Sequence, residues 1–305
     1  MNIDVLNQKL IKACDDANLD EIRRLIISGA NPNLLDEYGE NVFEHVFIYA
    51  LDRVEDESEN STEEYGEIFN QVKNTVKTLI NCGWDIQKYG LKVMHQFIYM
   101  SNQRLAFDLM KFFLEFNLGD EKSEYESLLE GIGTEESYQR CCENNHDLEN
   151  LFYAMYEIVN AKMENRSYKN IELYYNAVGM QIDKLLYLGK ESIVPSKEGS
   201  IEYNDDICFV CGEKILVIRE CVNILFINDI INEECVEIPN LFGDNIIGSK
   251  IVNISFEHKE IVDGTTHYGQ PIIVVSLNNG KKLKFTHNFG EHNEEKVQSS
   301  FVVVQ

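Results

Sequence analysis

The chain has 305 residues, of which 44% are hydrophobic and 26% charged, and its 52 acidic and 27 basic residues give a formal net charge of −25. This length predicts about two domains, and the composition is typical of a globular protein with a sizeable core. The negative field excludes a conventional nucleic-acid binder or a protein of anionic membrane surfaces, and it favours a partner with a basic surface.

Targeting signals and cysteine usage indicate the compartment. No apolar run in the sequence reaches the roughly 20 residues that a membrane-spanning helix needs. The first five residues lack the basic region and the apolar stretch of a secretory signal. The eight cysteines are an ordinary number for a reducing compartment, and most lie in or beside apolar segments. We therefore expect a cytoplasmic protein that is not bound to a membrane.

The first 195 residues have a helical apolar pattern. Apolar residues recur at helical spacing over residues 19–26, and Gly29 after them predicts a left-handed helix end. Pro32 cannot continue a helix, and residues 36–39, Asp-Glu-Tyr-Gly, predict a turn. This order of helix, glycine, extended loop and turn is typical of a helical repeat.

The same order of signals returns further along the chain. Gly83 and Asn117 take the place of Gly29, and we expect a left-handed backbone at Asn117 because asparagine tolerates it better than most residues. Gly83 and Asn117 are 34 positions apart, which is close to a period of about 33 residues. The longer distance from Gly29 to Gly83 predicts an acidic insertion near residues 52–66.

The loop Gly29-Ala30-Asn31-Pro32-Asn33 resembles the Gly-Ala-Asp-Val-Asn loop of the ankyrin repeat family. The opening motif of a repeat is degenerate, although residues 90–95 keep its glycine and place His95 at its histidine position. The resemblance covers residues 5–120 as about three repeats, and we expect a fourth, divergent helix pair at residues 151–163 and 171–188. It implies a stacked helical array that binds other proteins without catalysis.

The C-terminal part has a strand-like pattern. Gly212-Glu213 and the sequence Asn-Asn-Gly-Lys at residues 278–281 lie between β-rich runs and predict hairpins. About six or seven short strands predict one antiparallel sandwich or barrel. The predicted fold is therefore a multi-domain α + β protein, with an ankyrin-like helical domain over residues 1–195 and an all-β domain over residues 200–305.

These observations favour a non-catalytic protein–protein interaction module. A concrete version is an acidic immunity or inhibitor protein that masks a basic effector protein. The contacts of such an array lie at the exposed turns between repeats, and Trp84 is equally well interpreted as a core residue. The predicted binding residues are Asp36, Glu37, Tyr38 and Glu40 on one turn and Trp84, Asp85, Lys88 and Tyr89 on the next.

Two alternatives belong to other functional classes. Cys208 and Cys211 have the spacing of half a zinc site, but the second closely spaced pair of ligands is missing, so we expect no bound metal. We also expect no cofactor and no catalytic residue. The first alternative is an enzyme or metal-binding protein with the repeats as a docking arm. The second is a self-assembling structural protein whose β domain forms an oligomer. A metal site in the β domain would bring together Cys208, Cys211, His258, His267 and His287.

Overall fold

The structure is a computed structural model in which the chain divides into two compact units. The first unit comprises residues 1–137 and 159–166, and the second comprises residues 138–158 and 167–305. The structure describes residues 2–36, 38–42, 62–100, 103–119, 122–133, 146–187, 194–195, 200–203, 206–219, 223–227, 236–237, 246–263, 266–288 and 299–304.

Seven α-helices are formed by the described residues, and all of them lie in the N-terminal half or at its end. Their bounds are α1 Ile3–Asp15, α2 Leu19–Ile27, α3 Thr62–Asn81, α4 Ile86–Phe97, α5 Gln103–Phe113, α6 Lys122–Gly133 and α7 His146–Met163. The side-chain oxygens of Asn2, Asn18 and Asp85 each accept a hydrogen bond of 3.1 Å from a backbone N–H in the first turn of α1, α2 and α4. Capping of these otherwise unpaired donors sets where the three helices begin.

The predicted left-handed helix ends are confirmed at Gly29 and Gly83, and the one predicted at Asn117 is wrong. Gly29 has a φ of +102° and Gly83 a φ of +98°. In both turns the next backbone N–H donates to the carbonyl five residues earlier, at 3.0 and 2.9 Å. After α5 the positive φ of +89° falls on Gly119, because a glycine takes this backbone without the Cβ penalty that Asn117 would incur.

The helices of the first unit pack on helices that are next or next but one in the sequence. Helix α1 packs on α2, α2 on α3, α3 on α5, and α4 on both α5 and α6. The rings of Phe97 and Phe113 meet edge to face with centroids 5.2 Å apart. The ankyrin assignment stays a prediction. The core includes Leu10, Ile22, Leu25, Val76, Leu79, Phe97 and Phe113.

The second unit contains two antiparallel sheets. In the described residues the strands are β1 Ile171–Glu172, β2 Lys184–Tyr187, β3 Val194–Pro195, β4 Ser200–Tyr203, β5 Ile207–Cys211, β6 Lys214–Arg219, β7 Asn223–Ile227, β8 Val236–Glu237, β9 Ile251–Asp263, β10 Thr266–Leu277, β11 Lys282–Asn288 and β12 Ser299–Val304. One sheet has the order β1-β7-β6-β5-β2-β8 and the other β3-β4-β12-β11-β10-β9. Antiparallel pairing in the C-terminal half is therefore confirmed, and the fold is mixed α + β.

Side chains of both sheets share one hydrophobic core. The rings of Phe209 on β5 and Phe285 on β11 lie 5.8 Å apart and connect the two sheets through this core. Two predicted hairpins are confirmed, since Gly212-Glu213 joins β5 to β6 and the turn at residues 278–281 joins β10 to β11. A closed sandwich or barrel stays a prediction. The core includes Leu185, Ile207, Phe209, Phe226, Ile251, Ile273, Val275 and Phe285.

The helix predicted over residues 171–188 is wrong. Residues 171–187 form β1, a short 3-10 turn at Tyr174–Ala177 and β2. Ile171 is buried, while Tyr174 and Leu185 join the core shared by the sheets. The strands β1, β2 and β3 therefore come before residue 200, where the sequence indicated the start of β structure.

The predicted acidic insertion lies largely outside the described residues. The chain is described again from Thr62, where α3 begins. In the polar stretch at residues 120–149, α6 occupies Lys122–Gly133 and α7 begins at His146. No helix among the described residues is both long and apolar enough to cross a membrane.

Candidate protein-binding surface

Residues 35–41 form a short hairpin, which we call the finger. An isolated antiparallel bridge pairs Leu35 with Asn41, and the Asp36 N–H donates to the Glu40 carbonyl at 2.8 Å. Gly39 has a φ of +78°, a backbone conformation that favours glycine. The finger is therefore a defined turn that leaves the helical core and returns to it. Glu37, one of the predicted binding residues, lies outside the described residues.

The Asp36 carboxylate stabilises the finger by accepting hydrogen bonds from the backbone of the turn. One of its oxygens accepts hydrogen bonds from the backbone N–H groups of Tyr38 at 2.8 Å and Glu40 at 2.9 Å. A side-chain oxygen that pairs with backbone donors two and four residues ahead holds a turn in one conformation. Asp36 was predicted as a contact residue, and its described bonds give it a role in fixing the turn.

Tyr38 is the exposed aromatic side chain among the described predicted contact residues. Its side chain is 80% exposed, whereas Glu40 is half-buried. A large side chain with few rotatable bonds loses little conformational entropy on binding, and tyrosine is enriched among residues that dominate binding energy. An exposed tyrosine on a fixed turn is therefore suited to contact a partner.

The finger is attached to helix α4. The Nζ of Lys92 on α4 donates to the Gly39 carbonyl at 3.2 Å. This bond joins the tip of the finger to an exposed face of the helix, so the finger and α4 form one continuous surface. Sequence reasoning did not assign Lys92 to the surface, because its partner lies far away in the sequence.

Asn33 joins two consecutive loops. Its Nδ2 donates to the Gly83 carbonyl at 2.9 Å, and its Oδ1 accepts from the Asp85 N–H at 2.7 Å. The loop that follows α2 is thereby bound to the loop that precedes α4. Sequence reasoning gave Asn33 no role, although its place at the end of the repeat loop motif was an available signal.

Trp84 and Tyr89 are buried, so neither presents an accessible side chain to a partner. Trp84 is 3% exposed and Tyr89 is 8% exposed. Trp84 follows Gly83 as Ala30 follows Gly29, and both residues point into the core. Of the two interpretations of Trp84, the structure shows the core residue.

The second predicted turn is the start of a helix. Asp85 caps α4 through a 3.1 Å bond from the Lys88 N–H to its carboxylate, and burial of Ile86 and Tyr89 holds the first turn in place. Asp85 and Lys88 are exposed, and the Lys88 Nζ lies 5.0 Å from the centroid of the Tyr89 ring. Asp85 and Lys88 thus remain accessible beside the finger.

The surface made by the finger and the start of α4 has mixed charge. It carries the carboxylates of Asp36, Glu40 and Asp85 together with the ammonium groups of Lys88 and Lys92. Attraction to a basic partner would therefore come from the net charge of −25 on the whole chain more than from this surface.

The cysteine pair of the β domain does not form a metal half-site. Cys208 packs with Ile215 and Val217 on one face of its sheet, whereas Cys211 lies in the core on the other face. Burial raises the pKa of the Cys211 thiol to about 12, with a further contribution from the Asp183 carboxylate. Two thiols on opposite faces cannot bind one ion together. Among the described residues, no group of three or more histidine, cysteine or acidic side chains is placed to hold a metal.

A polar network in the second unit centres on Arg219 at the end of β6. Its guanidinium donates to Asp206 at 3.0 Å and to the Tyr153 hydroxyl at 2.8 Å, and Glu157 lies 3.9 Å away. Burial raises the pKa of Tyr153 to about 12, and the Glu157 carboxylate adds to this shift. Burial alone would lower the pKa of Arg219, but Asp206 and Tyr153 outweigh it and raise the pKa. The network keeps Arg219 charged and attaches α7 to β6.

Comparison of the chain with family models, with curated proteins and with solved structures finds no match. The fixed finger, the exposed Tyr38 and the links from the finger to α4 are the observations from which a function can be argued.

Proposed function

We propose that the chain is a non-catalytic protein-binding protein of the cytoplasm. It combines an ankyrin-type helical array in its N-terminal part with a β domain of sandwich form, to which the strands from β1 onward belong. In its concrete form it is an acidic immunity or inhibitor protein that masks a basic effector protein. Its binding surface is the finger together with the exposed start of α4.

The observation that carries this proposal is the exposure of Tyr38 on a turn whose conformation is fixed. The Asp36 carboxylate bonds two backbone N–H groups of the turn, and Lys92 bonds the carbonyl of Gly39. A binding residue held in place before the encounter loses little freedom on association. An 80% exposed tyrosine on such a support is suited to be a main contact of a protein-binding site.

The charge of the chain supports a basic partner. A net charge of −25 repels nucleic acid and acidic proteins and raises the encounter rate with a basic protein. Attraction between exposed charges weakens as salt shortens the Debye length. Binding of this kind should therefore be lost at high salt.

Affinity capture from the native cell tests the proposal. The wild-type chain and the Tyr38→Ala variant serve as baits at low and at high salt, and the bound proteins are identified by mass spectrometry. Tyr99→Ala is the matched control, because Tyr99 is an exposed tyrosine in the same unit that lies outside the proposed surface.

We expect one basic protein to be captured by the wild-type chain and by Tyr99→Ala, to be depleted on Tyr38→Ala, and to be lost at high salt. Capture of the same protein by all three baits would remove the finger from the binding surface. Capture of nothing at either salt concentration would contradict the protein-binding function itself.

A further inference from the structure

The turn between β10 and β11 carries a chemically reactive pair of residues. Asn279-Gly280 is the one place in the sequence where glycine follows asparagine. In such a pair the backbone nitrogen of the glycine can attack the Cγ of the preceding side chain, because glycine has no Cβ to obstruct the approach. Asparagine is accordingly among the thermolabile residues of proteins.

The exposure of the turn favours this reaction. Asn278, Asn279 and Gly280 are all exposed. No atom of the described residues lies within 4 Å of the place that a Cβ on Gly280 would occupy. Water therefore reaches both the attacking nitrogen and the side-chain amide, and accessibility alone would let the pair react.

Hydrogen bonds hold both reacting groups in the native turn. The Gly280 N–H donates to the Leu277 carbonyl at 3.0 Å. The Asn279 Oδ1 accepts from the Lys281 N–H at 3.0 Å, an arrangement that is common in turns. The Asn279 Nδ2 donates to the Ser249 Oγ at 2.9 Å, across 30 positions of the sequence. The attacking nitrogen, the side-chain oxygen and the side-chain nitrogen are thus all bonded.

The loop before β9 supports the same turn. The Lys250 N–H donates to the Asn278 Oδ1 at 2.9 Å, and the Asn278 N–H donates to the Lys250 carbonyl at 2.9 Å. Ser249 is buried, so the hydroxyl that accepts from Asn279 has little freedom to move. The turn is therefore fixed to a neighbouring loop as well as by its own bonds.

We propose that Asn279-Gly280 is a site of spontaneous deamidation that the native turn holds inactive, so that modification marks chains in which this turn has opened. In the open turn the Gly280 nitrogen loses its proton to hydroxide and bonds to the Asn279 Cγ. The bond from Cγ to Nδ2 breaks, and the departing nitrogen takes up a proton and leaves as ammonia. Water then opens the succinimide ring at either carbonyl and gives aspartate or isoaspartate, and no oxidant or reductant takes part.

The native bonds oppose each part of this reaction. Attack requires the Gly280 nitrogen to give up its bond to Leu277. It also requires the Asn279 side chain to turn away from Lys281 and Ser249. The rate in the folded chain is then the rate in the open turn multiplied by the fraction of time that the turn is open. Several hydrogen bonds lost together make that fraction small.

Modification prevents the turn from closing again in its native form. An aspartate carboxylate lacks the Nδ2 donor that binds Ser249. Isoaspartate in addition lengthens the main chain by a methylene group, inside the turn that follows the pairing of Ser276 with Lys282. Because the length and type of a turn fix the register of a hairpin, β10 and β11 should pair less well after the reaction.

Mass-spectrometric peptide mapping of the full chain, incubated at mildly alkaline pH, tests the proposal. We expect residue 279 to deamidate about tenfold or more slowly in the folded chain than in the same chain unfolded in urea. Equal rates in the two states would overturn the protection by the turn. An unfolded chain that stays unmodified at residue 279 would overturn the reactive site itself.

Ser249→Ala tests the role of the hydrogen bonds. The variant lacks the acceptor of the Asn279 Nδ2, so its folded chain should deamidate about two- to tenfold faster than the wild type, with no difference in urea. Ser276→Ala is the matched control, because Ser276 is a half-buried serine of β10 beside the same turn, and it should react like the wild type. Equal rates of the two variants in the folded state would contradict the role of Ser249. The comparison within the wild-type chain does not depend on the stability of either variant.

Discussion

Asn33 and Asp85 are joined by a hydrogen bond of 2.7 Å, from the backbone N–H of Asp85 to the side-chain oxygen of Asn33. The same side chain donates to the Gly83 carbonyl at 2.9 Å, so one amide satisfies a donor and an acceptor of the next loop. The loop that leads into the finger and the loop that begins α4 are thereby held in a fixed relation. The proposed binding surface depends on this relation.

Asn33→Ala should destabilise the chain by about 1–3 kcal/mol, because two hydrogen bonds of about 0.5–1.5 kcal/mol each are lost. Urea unfolding measures the change in free energy. Asn81→Ala is the control, since Asn81 is exposed at the end of α3 and alanine is favourable in a helix. Equal stability of the Asn33→Ala and Asn81→Ala variants would show that the link between the loops contributes nothing.

Asp36→Ala should loosen the finger without unfolding the helices. The variant loses the oxygen that accepts from Tyr38 and Glu40, whereas Asp36→Asn keeps an oxygen in the same place. Amide hydrogen exchange at residues 38 and 40 should therefore accelerate in the alanine variant and change little in the asparagine variant. If both variants exchange like the wild type, the carboxylate does not hold the turn.

Replacement of two helical glycines by alanine should change the stability of the chain in opposite directions. A Cβ at Gly90 in α4 would lie 2.6 Å from the Leu118 Cδ2 and 3.2 Å from the Ile86 Cγ1, whereas a Cβ at Gly66 in α3 meets nothing within 4 Å. Gly66→Ala should stabilise the chain by about 0.5–1 kcal/mol through helix propensity. Gly90→Ala should destabilise it by about 1–3 kcal/mol through overpacking. Thermal unfolding compares them, and stabilisation by both would contradict the close packing around Gly90.

Tyr153 should make stability fall at alkaline pH. Its folded pKa of about 12 lies above its ordinary value of 10.0, so the folded state keeps the phenol proton that the unfolded state releases. The contribution of Tyr153 to the stability of the folded state is complete below pH 10 and declines as the pH rises from 10 towards 12. Tyr153→Phe removes this dependence together with the bond to Arg219. The stability difference between wild type and Tyr153→Phe should narrow above pH 10, and a constant difference in urea unfolding would contradict the shifted pKa.

Features set by local chemistry were predictable from the sequence. The helix ends at Gly29 and Gly83 follow from a left-handed backbone that favours glycine, and the hairpin at residues 278–281 follows from its turn residues. The finger was predictable as a turn for the same reason. Its exposed Tyr38 follows from its place at the tip.

Features set by distant contacts were not predictable. Residues 171–187 are apolar and aromatic enough to suit a helix, but β1 pairs with β7, and β2 pairs with β5 and β8. Their strand conformation depends on partners that lie 20 to 56 positions away in the sequence. The burial of Trp84 and the links made by Asn33 and Lys92 depend on packing in the same way.

Binding of a basic partner by the finger through Tyr38 is the proposal on which the function depends. Its most direct test is the dissociation constant of the captured protein for the wild-type chain, Tyr38→Ala and Tyr99→Ala, measured by calorimetry at low and high salt. We expect a loss of about tenfold or more for Tyr38→Ala, no loss for Tyr99→Ala, and weaker binding of all three at high salt. Equal affinities of the three proteins, with unchanged circular dichroism, would contradict the claim.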